Sequence, residues 1–176
     1  MRGLMMGRFQ PFHLGHLDLT KQILSECDEV VIALTGSQFN YIEKDPFTAG
    51  ERLEMIHDSL KEGDVDLSRC FIVPIENQFN VATWASYIKS ILPQFDKVYS
   101  GNEYVAMLLA DSGYDVILPK FLDREKYNGT KIRKMIVNDL DWEKYVPSAV
   151  AKIIKKLNGV NRVKTISKTE TKPQEY

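Results

Sequence analysis

The chain has 176 residues, 44% of them apolar and 27% charged, with a formal net charge of −1, enough for one domain with a real core. A charge so close to zero excludes a partner held mainly by neutralising a long run of phosphates, and leaves open a small anionic ligand in a local basic pocket. No stretch approaches the ~18 continuous apolar residues of a membrane span, and "MRGLMMGRF" is too short in its apolar part for a signal peptide. The two cysteines, Cys27 and Cys70, lie in apolar contexts without paired spacing, as buried thiols of a reducing compartment would, so a cytoplasmic protein is expected.

Taken in order, apolar runs alternate with helical patterns. "GLMMG" predicts a short buried strand. "LGHLDLTKQILSEC" predicts a helix with Leu17, Leu24 and Cys27 on its inner face. "EVVIALT" is a β-branched run suited to a parallel sheet buried on both faces. After the polar loop "GSQFNYIEKDPF", "TAGE" offers a capping box, Thr48 as cap and Glu51 three residues later. The helix behind it points Leu53, Ile56 and Leu60 inward and stops at Gly63.

"CFIVPI" predicts a third strand, and "VATWASYIKSIL" a helix with Val81, Ala85, Ile88 and Leu92 on one face, ended by Pro93. "DKVYS" predicts a fourth strand, Asn102 a cap for the helix "EYVAMLLADSG", and "YDVIL" a fifth strand. Strands and helices alternating at this spacing mean βαβ units, right-handed crossovers and a doubly wound α/β fold with a parallel five-stranded sheet. Beyond it, "GT" opens a helix, and "VPSAVAKIIKKLNG" forms another with Val150, Ile153, Ile154 and Leu157 inward. The expected division is one α/β domain over 1–160, C-terminal helices included, and a polar, partly disordered tail over 161–176.

Two of the chain's three histidines stand in "GRFQPFHLGH", between the first strand and the first helix. In an open parallel sheet, ligands bind beyond the carboxyl ends of the strands. Gly7 lets the backbone approach a ligand, Pro11 stiffens the turn, and Gly15 lets the first helical turn approach something bulky. His13 and His16, three apart, project toward one region. One histidine could simply cap the helix while the other packs. A zinc site is disfavoured because no Cys, Asp or Glu stands nearby at ligand spacing, and neither G-x-G-x-x-G nor G-x-x-x-x-G-K-[ST] occurs. What remains is a set of donors suited to phosphate oxygens: two imidazoles, Arg8 and the amides of a helix start.

This loop, together with "YNGTKIR" at a later helix start, resembles the two signatures of the H-x-G-H nucleotidyltransferase superfamily, in which the histidines bind the triphosphate of ATP. Over nearly its full length the chain resembles the archaeal-type nicotinamide mononucleotide adenylyltransferases, through "MRGLMMGRFQPFHLGH", "DPFTAGER", "VYSGN", "YNGTKIR" and "NGVNRV". The resemblance implies a Rossmann-like nucleotidyltransferase fold. It implies a reaction in which ATP and nicotinamide mononucleotide give NAD and pyrophosphate, with Mg2+ carried in on ATP and no metal ligands from protein side chains. It also implies a homo-oligomer, often a hexamer, with no nucleic-acid or membrane partner.

Adenylyl transfer of this kind needs no general base, because a phosphate monoester with a second pKa near ~6 is already largely anionic at neutral pH. Catalysis then rests on positioning and on stabilising charge that grows toward the leaving pyrophosphate. On that footing His16 is expected at the α-phosphate, with His13 beside it. Arg8 and Arg133 are expected on the β- and γ-phosphates, where a planar fork suits bidentate contact. Thr130 would donate its hydroxyl and backbone amide to the same phosphates, and Gly7, Phe9 and Gly15 would complete the loop around them. Lys44 would reach either substrate's phosphate. Ser100, Gly101 and Asn102 would contact the adenosine side, Asn102 also serving as a cap.

Trp84 would stack on the cationic pyridinium of the acceptor, with a core role as the alternative. Arg52 would support a loop through an ion pair, Trp142 would pack, and His57 would lie on the surface. Asn128 departs from the serine usual in the second signature, which puts a hydroxyl contact there in doubt but not backbone contacts. The loop "ENQFNVATW" departs as well. The rival readings are a phosphopantetheine adenylyltransferase, a cytidylyltransferase, and a non-catalytic nucleotide-sensing domain on the same fold.

Overall fold

A computed structural model describes residues 1–120, 122–123 and 125–169. Five strands, β1 (Arg2–Gly7), β2 (Glu29–Leu34), β3 (Cys70–Pro74), β4 (Lys97–Tyr99) and β5 (Asp115–Ile117), form one sheet in the order β3-β2-β1-β4-β5. All four pairings are parallel. Seven α-helices are described: α1 (Leu14–Glu26), α2 (Ala49–Glu62), α3 (Trp84–Ile91), α4 (Glu103–Ala110), α5 (Gly129–Val137), α6 (Ser148–Lys156) and α7 (Gly159–Thr169).

The central strands explain the two-layered cover. In β2, Val30, Ile32 and Leu34 belong to one apolar cluster and Val31 and Ala33 to the other, all fully buried, as period-two alternation inside a doubly covered sheet requires. The first cluster packs α1, α2, α5, α6 and α7 against one face, and the second packs α3 and α4 against the other. The chain runs outward from β1 to β3, then crosses back to β4. Strand order therefore reverses between β1 and β4, and the loops beyond these two strands diverge to leave a crevice,.

Some element faces differ from the sequence reading. The buried face of α1 is Leu19, Thr20 and Ile23 with Cys27 behind, while Leu17 and Leu24 flank it. Thr20 is accepted because its hydroxyl donates to the His16 carbonyl at 2.9 Å. Val81 is exposed and belongs to a 3-10 turn, so α3 starts only at Trp84 and keeps Ile88 and Leu92 buried. Both cysteines are free thiols, Cys27 buried and Cys70 partly so. Trp142 is buried and His57 is exposed. Among the described residues no helix is long and apolar enough to cross a membrane.

The expected polar tail begins too early. Residues 159–169 form α7, and Val163 is buried in the first cluster; the rest of the expected tail, 170–176, lies outside the described residues. The reason is Arg162. Its two guanidinium ends donate to both oxygens of Glu51 at 2.6 and 2.9 Å, and it lies over the rings of Tyr41 and Phe47. Glu51 also accepts from the Thr48 amide in the capping box at the start of α2, so α7 is tied to the helix start below the site. Arg162→Ala is expected to lower stability by about 1–3 kcal/mol, read as a drop in the thermal midpoint. Lys168→Ala, on exposed surface, should leave the midpoint within error.

Candidate active site

The loop 8–13 between β1 and α1 has no ladder partner for its carbonyls, and a buried carbonyl must be satisfied somehow. Two buried arginines supply the donors. Arg52 of α2, fully buried, donates to the carbonyls of Arg8 (2.8 Å), Thr35 (3.0 Å), Gly36 (3.0 Å) and Thr48 (3.3 Å). It supports the loop through carbonyls rather than through the expected ion pair, because four acceptors on three chain segments suit a planar fork,. Burial lowers its pKa to about 10, with Asp45 opposing the shift. Arg133 of α5 donates to the Gln10 carbonyl at 2.7 Å and to the Thr130 hydroxyl at 3.3 Å. Its pKa too is lowered, by burial first and by Arg8 second. Gln10 then exchanges both its side-chain bonds with the backbone of Phe47, at 2.8 and 3.0 Å. A β-carbon at Gly129 would stand 3.2 Å from the Gln10 carbonyl oxygen, a tight contact, so glycine favours the close docking of α5 here.

Phe9 holds a left-handed backbone, φ 51°, which a non-glycine residue keeps only where its surroundings fix it,. Its ring is buried against Phe12 and edge-on to His16, 4.8 Å between centroids. Phe9 is therefore packing beneath the histidines, and its side chain offers nothing to a ligand. His13 and His16 stack at 3.5 Å with 17° between planes. The His13 backbone amide donates to His16 Nδ1 at 3.2 Å, which makes that nitrogen an acceptor and places the proton of the neutral ring on Nε2,. His13 Nδ1 is buried without a hydrogen-bond partner among the described residues. Burial pushes His13 down to about 3, and burial with the neighbouring His13 pushes His16 well below the ordinary histidine value. Both imidazoles are neutral at physiological pH. The capping reading of the pair holds in part: His16 closes the helix start through Nδ1.

Three cavities surround this loop. The first, about 470 Å³, is lined by Arg8, Lys44, Arg133 and Lys134, with Thr130 and Glu43 at its wall. The second, about 420 Å³, lies beyond the carboxyl ends of the strands and is lined by Gly7, Arg8, Asn77, Trp84, Ser100 and Asn102, among others. The third, about 200 Å³, is lined by His13, Gly15, His16, Tyr127, Asn128 and Gly129, with Leu19 and Leu122. Gly15 is needed there because a β-carbon would stand 3.0 Å from Cβ of Tyr127 and 3.2 Å from the His13 ring.

The expected residues thus divide. Arg8, Lys44, Thr130 and Arg133 meet at one cavity, and Lys44 lies on that side rather than beside Trp84. Ser100 and Asn102 line the Trp84 cavity, not the one with the histidine pair, and Gly101 lines a neighbouring depression with Ser100. Trp84 is half-buried, lining its cavity while packing on the second cluster. Asn102 caps α4 with its side-chain oxygen, 3.0 Å from the Tyr104 amide.

Asn128 caps α5 by accepting from the amides of Thr130 (2.9 Å) and Lys131 (3.2 Å). The Thr130 amide expected for a phosphate is therefore already engaged by the cap,. Gln10 and Asp45 escaped the sequence reading. Both are buried polar residues, and the signal available for them was only their place beside proline in two glycine- or proline-bearing loops.

A family model described as cytidylyltransferase-like matches residues 4–135. The chain is 51% identical to a nicotinamide-nucleotide adenylyltransferase of Caldivirga maquilingensis and 48% identical to one of Pyrobaculum arsenaticum, each over 100% of this chain and 99% of the relative. Among solved structures it is similar to a bifunctional NMN adenylyltransferase/ADP ribose pyrophosphatase of Francisella tularensis, complexed with AMP and a manganese ion. That likeness has a TM-score of 0.78 at 19% identity, covering 94% of this chain and 52% of the other, and it speaks to the fold.

The neutral histidines have a consequence for stability. His13 takes up its proton near pH 6.5 when unfolded and only near 3 when folded. Between those values the unfolded state holds more protons, so stability falls as pH falls, by about 2 kcal/mol from His13 alone at pH 5. Denaturant melts at pH 7 and pH 5 should show this loss, and His13→Gln should flatten the dependence.

Proposed function

The chain belongs to the nicotinamide-nucleotide adenylyltransferases, and from that membership we propose a direct adenylyl transfer organised around the loop 8–13. The reaction joins ATP to nicotinamide mononucleotide, giving NAD and pyrophosphate. In the proposal the mononucleotide phosphate attacks the α-phosphorus of ATP in line, the bond to the bridging oxygen of pyrophosphate breaks, and no protein atom is covalently involved. The observation that carries it is the position of Arg8. That one side chain lines both the cationic cavity and the Trp84 cavity, as a contact between donor and acceptor phosphates would have to.

Each residue then has a task. Arg8, Lys44 and Arg133 receive the β- and γ-phosphates of ATP, and Lys134, in the same cavity, joins them. Arg133 does so while still holding Gln10. His16 offers its Nε2–H to the α-phosphate as a neutral donor, its other nitrogen being held by the His13 amide. His13 stacks behind it and fixes its plane. Donors fixed before the substrate arrives cost no reorganisation as charge develops. Trp84 presents an indole face to the pyridinium ring, and Ser100 and Asn102 complete the acceptor cavity rather than the adenosine side,. The divalent metal, magnesium, is part of the donor substrate and arrives with ATP; the cationic groups around the first cavity suit its phosphates. The proposal extends to a cytoplasmic homo-oligomer on the strength of the resemblance.

Purified protein given ATP, magnesium and one acceptor at a time is expected to release pyrophosphate with nicotinamide mononucleotide and not with phosphopantetheine. His16→Ala should lower turnover about 10²–10³-fold with its fold intact. ATP binding without release with either acceptor would favour the nucleotide-sensing reading. Trp84→Ala should raise KM for the mononucleotide roughly tenfold while KM for ATP stays in place.

A further inference from the structure

Asp45 is a buried carboxylate, 3% exposed, set among three guanidiniums. Its Oδ2 accepts from Arg8 Nη1 at 3.4 Å, while its Oδ1 is buried without a hydrogen-bond partner among the described residues. Its charge acts on Arg52 and Arg133 as well, opposing the effect of burial on both. A half-satisfied buried carboxylate is costly. The backbone holds it there firmly: the Asp45 amide donates to the Ile42 carbonyl at 3.0 Å, Pro46 follows, and the next amide, at Phe47, is bound by Gln10.

Arg8 contrasts with it. The arginine side chain is 44% exposed and carries several rotatable bonds, yet it lines both cavities. Its backbone is anchored by Arg52, and its guanidinium meets the buried Asp45 carboxylate through a single long contact of 3.4 Å. We propose that Asp45 is a positioning residue that holds the Arg8 guanidinium where the two cavities meet. The proposal rests on the role given to Arg8 above. With the anchor in place, Arg8 meets the phosphates in one orientation. Without it, the same charge remains, but spread over many rotamers, and transfer suffers more than binding.

The test is a double-mutant cycle read as kcat and KM, with thermal midpoints as the check on folding. Arg8→Ala is expected to lower kcat/KM about 10²–10³-fold. Asp45→Ala should lower kcat about 10- to 100-fold with KM for ATP changed less, and Asp45→Asn, which keeps an acceptor for Arg8, should recover part of the loss. In the Arg8→Ala background either Asp45 substitution should cost several-fold less in kcat/KM than it does beside Arg8, because that partner is gone and only its effect on Arg133 and Arg52 remains. If Asp45→Ala fails to fold, the cycle is read on Asp45→Asn alone. Equal losses in both backgrounds, or full activity in the Asp45 variants, would overturn the inference and leave Arg8's role standing. An Arg8→Ala protein with full activity would overturn both.

Discussion

The site depends on two buried guanidiniums holding backbone carbonyls. Arg52 of α2 and Arg133 of α5 reach the loop 8–13, taking the carbonyls of Arg8 and Gln10, and through Arg52 the segments after β2 and before α2 are tied to the same point. A lysine would offer a point charge where four carbonyls need a fork. The left-handed Phe9, the stacked imidazoles and the buried Gln10 persist because the carbonyls of Arg8 and Gln10 are held in place. The loop is therefore organised before any nucleotide arrives.

That arrangement divides the work along the phosphate chain. Charge collects at the cavity of Arg8, Lys44, Arg133 and Lys134. The histidines, neutral through burial and mutual contact, supply hydrogen bonding without net charge. Under the proposed function the charged end binds the part of ATP that leaves, and the neutral end meets the phosphorus under attack. The buried Asp45 carboxylate offsets part of the positive charge of the arginine cluster.

The fold was legible because its signals are long and repeated. Continuous β-branched runs in β2 and the Thr48–Glu51 capping box are local facts, and the structure has both. The inner face of α1 was only partly legible: Leu17, Leu24 and Cys27 do meet the first cluster, but the face is centred on Leu19, Thr20 and Ile23, and Thr20 is polar by name but satisfied within its own helix; α7 was missed because its attachment includes a long-range ion pair, Arg162 to Glu51. At the site, the histidine loop and the α5 start were visible as motifs. What they touch was not. Whether Arg133 faces a ligand or a carbonyl, and whether Ser100 lies beside Trp84 or the histidines, are tertiary facts with no local signature. Asp45 and Gln10 were invisible for the same reason, since nothing in a short sequence window shows that a polar residue will be buried.

The most direct test of the account is the configuration at the α-phosphorus when the enzyme uses one diastereomer of an ATP analogue carrying sulfur there. A single in-line displacement by the mononucleotide inverts that centre, and inversion is the result the account predicts. Net retention would require two displacements through an adenylylated protein group, and would contradict a site whose residues only hold and orient the reacting phosphates.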